Sequence, residues 1–322
     1  MTANETAGDP GSDRRWIRSS LRSLSQRLGD AGHPVSPPTV SRLLKDLEYS
    51  LKANVKKKAG KEHPDRNKQF EYIEAQIEAF QAAGWPIISV DTKKKELIGD
   101  FKNNGRVWCQ EPEYVNVHDF RQDALGRAVP YGIYDVNHNR GQVYIGTSAD
   151  TPQFAVDSIA TWWQNEGSAV FPANSPMLIL ADAGGSNSCR SRVWKQQLQQ
   201  QLSDQFGLTV TVCHYPTGCS KWNPVEHRLF SYISINWAGK PLRSFDTMLA
   251  YIRGTTTTTG LTVKASLLEG VYETGQSVSD TEMDKLYLER HTVCPNWNYT
   301  IRPRLIAVAP ILAQLPNREV VS

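Results

Sequence analysis

Two short apolar runs, PIISVD (86–91) and MLILAD (177–182), each end in an aspartate. A continuous apolar run bounded by turn formers reads as a buried strand. A carboxylate at the end of such a run lies against core, where it needs a partner or a metal. The fold must therefore supply a sheet and still accommodate Asp91 and Asp182. Residues 128–136 (AVPYGIYDV) and 142–147 (QVYIGT) read as a hairpin turning at Asn137, Asn139 and Gly141. Residues 151–166 read as a helix with Phe154, Ile159, Trp162 and Trp163 on its apolar face. A polar helix over 188–206, a strand over 208–213 and a helix over 223–235 opened by Pro224 complete the pattern. Hairpin strands followed by helix–strand–helix–strand–helix is a mixed α/β order. The threonines at 255–259 read as an extended connection, and no internal repeat is visible.

A third acid joins the two strand ends. Glu226 falls in the first turns of the 223–235 helix, and Leu229, Phe230 and Ile233 follow it at helical spacing. Glu226 thus extends the face that packs on the sheet, and the three carboxylates converge at one sheet edge. Hard oxygen ligands without histidine suit Mg²⁺ or Mn²⁺ better than zinc. The alternative is ordinary strand-end and helix-start carboxylates, which are electrostatically favourable there. With 33 acidic residues in 322, spacing alone does not decide between the two. Cys213, His214, Cys219 and His227 invite a zinc reading, but the 213–219 gap misses the usual ligand spacing. His227 also lies about 100° around the helix from Glu226. Trp162 and Trp163 read as core; Trp222 either shapes the pocket or contacts DNA.

Charge is concentrated near the start of the chain. Between Lys52 and Lys68 seven basic residues (Lys52, Lys56, Lys57, Lys58, Lys61, Arg66, Lys68) face only Glu62 and Asp65, against a net charge of +3 for the whole protein. Such a block is either a solvated linker or a polyanion contact. Before it, Ile17, Leu21, Leu24 and Leu28 mark a helix over 17–28, broken at Gly29, Gly32 and Pro34. Ser36 and Pro37 start a second helix carrying Val40, Leu43, Leu44 and Leu47. This is the helix-turn-helix outline, with Thr39, Ser41, Arg42 and Lys45 on the groove-facing side and Lys56, Lys57 and Lys58 behind as backbone contacts. A plain helical hairpin is the alternative. Lys93, Lys94, Lys95, Arg190, Arg192, Lys195 and Arg228 flank the three acids as candidate phosphate contacts, although each alone reads as a surface charge. No apolar stretch is long enough for a membrane span, no signal-peptide core precedes the first helix, and five cysteines without a C-x-x-C suit a reduced cytosol.

Longer blocks resemble a known family. These are HDF (118–120), PYGIYDVNHNRGQVYIGTSADTPQFAV (130–156), WW (162–163), GGSN (184–187), VCHYP (212–216), SKWNPVEHRLFSYIS (220–234), TTTTTGL (255–261) and WNYTI (297–301). From about Gly8 to Pro303 the chain is similar to the DDE transposases of bacterial insertion sequences, specifically the Rhodopirellula-type group. The resemblance implies an RNase H-like fold, a five-stranded mixed sheet with helices on both sides. By the family's motif, Asp91, Asp182 and Glu226 map onto its catalytic triad, holding two Mg²⁺ or Mn²⁺ ions. The implied reaction is metal-dependent phosphodiester hydrolysis at transposon ends, followed by transfer of the freed 3′-hydroxyl into target DNA. Transposon-end and target DNA are the implied partners, with a homo-oligomer in a synaptic complex, no membrane association, and a cytoplasmic, nucleoid-associated location in a bacterium.

The expected organisation is a helix-turn-helix region over 1–51, a basic linker and helix over 52–84, an RNase H-like DDE domain over 85–302, and a tail over 303–322. Related proteins carry a longer N-terminal region, so a shortened reading frame is expected. The tail departs from the family's usual ending, and Ala183 stands where the family has glycine. Two other functions fit parts of the pattern: a non-catalytic DNA-binding remnant or repressor, and another RNase H-like nuclease such as a junction resolvase.

Overall fold

The structure, a computed structural model, describes residues 6–8, 15–17, 19–50, 63–172 and 175–304. Lys56, Lys57 and Lys58 of the basic block, and the tail beyond residue 304, lie outside the described residues. The chain divides into two units, Met1–Ala59 and Gly60–Ser322.

In the first unit, strands β1 (Thr6–Gly8) and β2 (Arg15–Ile17) pair antiparallel. Helix α1 (Leu21–Asp30) starts later than the apolar spacing predicts, because the Ser20 side chain accepts from the Ser23 amide and fixes the cap there. Ile17 therefore belongs to β2 and not to the helix. Helix α2 (Pro37–Asp46) starts where its sequence predicts: the Ser36 hydroxyl accepts from the Thr39 amide and Pro37 occupies the first turn. Val40 is buried, whereas Leu43 and Leu47 stay exposed.

The second unit is built on one large sheet. Its strands are β3 (Ile87–Thr92), β4 (Glu96–Ile98), β5 (Gly126–Asp135), β6 (Arg140–Gly146), β7 (Met177–Asp182), β8 (Val210–Tyr215), β9 (Thr262–Leu267), β10 (Leu288–Arg290) and β11 (Asn298–Ile301). The order across the sheet is β10-β11-β8-β7-β3-β5-β6-β9, with β4 paired to β5. At its centre β3, β5 and β6 run antiparallel as a meander, and β7 and β8 add parallel beyond β3. This five-stranded mixed arrangement is the RNase H-like core. Of the remaining four strands, β9 extends it at one edge, β11 and β10 at the other, and β4 pairs along part of β5; all four are additions to the five-stranded expectation. They are short or polar, and β9 alternates exposed and buried positions at the sheet's border, so their apolar signal in the sequence is weak.

Both faces are covered, as a sheet with wholly buried central strands requires. Alternation along each strand sends successive side chains to opposite faces. On one face Ile88, Val90, Ile179 and Val212 pack against Phe154, Ile159, Trp162 and Trp163 of helix α4 (Pro152–Trp162) and its continuation, and against Trp194 of helix α6 (Arg192–Gln197). Between these helices lies a short α5 (Ser168–Val170). Both tryptophans at 162 and 163 are core, as expected. On the other face Ile87, Leu178, Leu180 and Cys213 pack under α3 (Arg66–Ala82) through Ile73 and Phe80. Next to them Val143 and Ile145 pack under Leu229, Phe230 and α7 (Ser231–Asn236), and under α8 (Phe245–Arg253). A short α9 (Asp280–Met283) closes the element order before β10. Among the described residues no helix is long and apolar enough to cross a membrane.

Candidate active site

The sheet itself brings the first two acids together. Strands β3 and β7 are parallel neighbours, with Val90 opposite Ala181. Asp91 and Asp182 follow those two residues, so they end adjacent strands side by side. Strand alternation also gives them one parity: Ile87 with Asp91, and Leu178 and Leu180 with Asp182, belong to the face that α3 and the 223–236 segment cover.

Glu226 arrives on that same face through a buried polar clamp. The Asn223 side-chain amide donates to the Val90 carbonyl at 3.1 Å, and the Ser89 hydroxyl donates to the Asn223 side-chain oxygen at 2.5 Å. The Val225 amide in turn donates to the Ser89 hydroxyl at 2.8 Å. Ser89 and Asn223 are wholly buried. Asn223 thus ties the start of the helix to β3 one residue before Asp91, and Glu226 follows in the first turn, which is π-helical over Glu226–Phe230. Close approach also needs Gly132, the residue opposite Asp91 on β5. A Cβ there would collide with the Phe230 ring and touch Val225.

The electrostatics of the site follow from this crowding. Burial first, and then the charge of Asp182, push the Asp91 carboxyl up to about 8, with Glu226 adding to the rise and the Thr92 amide opposing it. Burial also raises Asp182, against a hydrogen bond from the Gly184 amide at 3.1 Å. Burial raises Glu226, with the neighbouring Asp91 carboxyl and the Lys93 charge opposing the rise. The charges of Asp182 and Glu226 both act on Asp91, and that of Asp182 acts on Glu226 as well. Like charges held together are relieved by a proton or by a cation. The donors are all carboxylate oxygens, which fits a hard divalent cation. As placed, no three His, Cys, Asp or Glu side chains among the described residues stand close enough to share one ion.

Residues 1–303 match the family described as the Rhodopirellula transposase DDE domain. The chain belongs to this family. No curated protein matches it. Solved structures similar to it include a pre-cleavage Mos1 transpososome, at 11% identity over 73% of this chain and 66% of that one, with a TM-score of 0.43. A Mos1 paired-end complex with the left transposon end is 11% identical over 76% and 73% of the two chains, with a TM-score of 0.42. A Mos1 mariner paired-end complex with Mn is 12% identical over 76% and 72%, with a TM-score of 0.41.

Around the acids of this transposase-family chain, the predicted basic residues divide. Lys93 is turned inward, paired with Glu96 at 3.5 Å and lying 4.7 Å from the Trp237 ring centre. Lys95 pairs with Asp150 at 3.1 Å. Arg192 pairs with Asp280 at 2.5 Å and donates to the Val278 carbonyl. Lys94, Arg190 and Arg228 are exposed. In the first unit Arg42 and Lys45 are exposed, and Thr39 is half-buried with its hydroxyl 3.0 Å from that of Ser36. Trp222 is half exposed, edge-on to Phe70 and with Lys221 over its ring.

The cysteine–histidine cluster does not converge. Cys213 packs among Leu178 and Leu180, while the next residue, His214, points to the opposite side of β8. His214 is wholly buried; its Nδ1 donates to the Asp182 carbonyl at 2.9 Å, and the Tyr299 hydroxyl donates to its Nε2 at 3.2 Å. Burial pushes it down to about 4, which keeps it neutral. The residues that position the acids, Ser89, Asn223, Gly132 and His214, carry little signal of their own in a single sequence. Only the placement of Asn223 and Pro224 just ahead of Glu226 marks a helix start there.

Proposed function

We propose that this protein is a DNA transposase that hydrolyses phosphodiesters at transposon ends and transfers the freed 3′-hydroxyl into target DNA, with Asp91, Asp182 and Glu226 as its catalytic acids. The observation that carries this reading is geometric: Asp91 and Asp182 end adjacent parallel strands, and the Asn223–Ser89 clamp ties the turn that carries Glu226 to β3 beside Asp91, where burial and the neighbouring acids raise the Asp91 carboxyl. An acid cluster so poorly compensated is costly unless it serves a ligand of positive charge. Mg²⁺ or Mn²⁺ bound by these carboxylates would activate the attacking oxygen and stabilise the leaving 3′-oxygen, two ions being the arrangement usual for in-line displacement. The chain's own contribution is positional. The Asn223–Ser89 clamp fixes Glu226 beside Asp91, and the parallel β3–β7 register fixes Asp182 beside both.

Exposed Lys94, Arg190 and Arg228 hold DNA phosphates, while Lys93, Lys95 and Arg192 contribute through the field they create near the acids. Helix α2 enters a DNA groove with Thr39, Arg42 and Lys45 facing the bases, and Lys56, Lys57 and Lys58 follow the backbone. Pairing of two transposon ends makes the working form a homo-oligomer.

Asp182→Asn tests the assignment. It abolishes Mg²⁺-dependent cleavage of a transposon-end duplex and leaves DNA binding in a gel-shift assay intact. Metal-dependent cutting that persists in this variant removes Asp182 from the site. Wild-type protein that binds DNA but never cuts points instead to a non-catalytic DNA-binding remnant. Cleavage without any strand-transfer product points to a nuclease of the resolvase kind.

A further inference from the structure

Beside the Asp182 end of β7 lies an open cleft of about 830 Å³, lined among others by Cys189, Arg190, Lys195, Arg290 and Trp297. Its floor adjoins the candidate site directly: Ala183, the residue after Asp182, packs against Cys189 and Trp297.

Lys195 is out of place for a lysine. It is only 4% exposed. Its ammonium donates to the Cys189 carbonyl at 2.6 Å and lies 5.5 Å from the Tyr299 ring centre. No carboxylate pairs with it among the described residues. An ammonium carries three donors, and a buried charge without a counter-ion is expensive. Its charged neighbours make matters worse: burial first, and then the charges of Arg290 and Arg192, depress its pKa.

The acids that line the cleft do not offset this. Asp280 is mostly exposed and taken by Arg192, Asp65 is exposed beside His63, and Asp284 is exposed. Arg190 is exposed and makes no ion pair among the described residues. The Lys195 charge is therefore at the floor, in low dielectric, while Arg190 and Arg290 stand exposed at the rim and the acids are in solvent, where they are screened.

We infer that this cleft is a phosphate subsite that seats a backbone phosphodiester of DNA next to the reacting position, with Lys195 as its buried counter-charge and Arg190 and Arg290 closing on the phosphate oxygens. The identity of the strand rests on the transposase reading; the phosphate chemistry does not.

Lys195→Met keeps the chain length and removes the charge. In the full-length wild type, inorganic phosphate titrated against chloride at fixed ionic strength raises the melting temperature, and in Lys195→Met that rise is lost. Without phosphate the variant melts at or above the wild type, because an uncompensated buried charge is gone. Its DNA-binding slope of log K against log salt is shallower by about 1. If the variant instead melts well below the wild type, and phosphate shifts both proteins equally, Lys195 is a strut for the Cys189 carbonyl and the inference fails. Should Lys195→Met not fold, Arg190→Gln, altered only at an exposed side chain, reads the same subsite. An unchanged phosphate shift and salt slope in that variant overturn the inference. Asp182→Asn keeps the two readings apart: cutting that persists there sinks the catalytic assignment and leaves the phosphate result standing.

Discussion

The Ser89 hydroxyl and the Asn223 side-chain oxygen are joined by a buried 2.5 Å hydrogen bond between β3 and the segment that carries Glu226. Ser89 shares its strand face with Asp91 two residues on, and Asn223 precedes Glu226 by one helical turn. With the Asn223 bond to the Val90 carbonyl and the Val225 amide bond to the Ser89 hydroxyl, this contact ties together the segments that carry two acids lying far apart in the chain.

Asn223→Ala removes that contact and the bond to the Val90 carbonyl, leaving buried partners unsatisfied. The expected loss of stability is about 1–3 kcal/mol. Displacement of Glu226 is expected to reduce cleavage roughly 100-fold, with gel-shift affinity for DNA unchanged. Chemical denaturation and a single-turnover cleavage assay measure the two effects; a wild-type rate in a folded variant would show that Asn223 does not position Glu226.

Gly132→Ala introduces a methyl group into the Phe230 ring from the residue opposite Asp91. Overpacking of this kind costs about 1–3 kcal/mol. The variant melts lower than the wild type, and its cleavage rate falls as Phe230 and the adjoining Glu226 turn shift. Gly84→Ala serves as the contrast for the rate: its added methyl meets nothing within 4 Å, so its cost is confined to a strained positive φ of 69°, and it leaves cleavage unaltered.

The acid cluster predicts a specific pH dependence. Asp91 has its carboxyl raised from an ordinary 3.8 to about 8 in the folded protein. Between those values the folded state holds a proton that the unfolded chain has released. Without divalent ions, stability therefore falls as pH rises through this window and levels off above it. Asp91→Asn removes that part of the slope. Mg²⁺ competes with the same proton, so the melting-temperature rise it produces grows from pH 6 to pH 8 and then flattens. Calorimetric scans across this range, with and without Mg²⁺, test both statements; a Mg²⁺ effect independent of pH would exclude Asp91 as a ligand.

Exposed Lys94 and Arg228 are expected to touch DNA phosphates. Each change to alanine makes the plot of log K against log salt shallower by about 1. Lys95→Ala, which removes a lysine already paired with Asp150, has a smaller effect. Equal slopes for all three variants and the wild type would remove the backbone contacts assigned here.

Local periodicity sufficed for much of this protein. The apolar runs at 86–91 and 177–182, the hairpin at 128–147 and the helix start at Ser36 are written in neighbouring residues, because strand alternation, turn residues and caps act over a few positions. The same runs ended at Asp91 and Asp182, and helical spacing put Glu226 on a packed face. The α1 start shifted because a single serine cap outweighed the apolar spacing of Ile17. The edge strands β9, β10 and β11 were not legible, since short, half-exposed segments depend on the neighbours they pair with.

Only the tertiary structure decided which acids meet and how they are held. The parallel register of β3 with β7, the Asn223–Ser89 clamp, the space left by Gly132 and the burial of Lys195 all join residues distant in sequence. Charge–charge repulsion and desolvation depend on distance in space and on excluded water, and neither exists until the sheet and its covering helices have assembled.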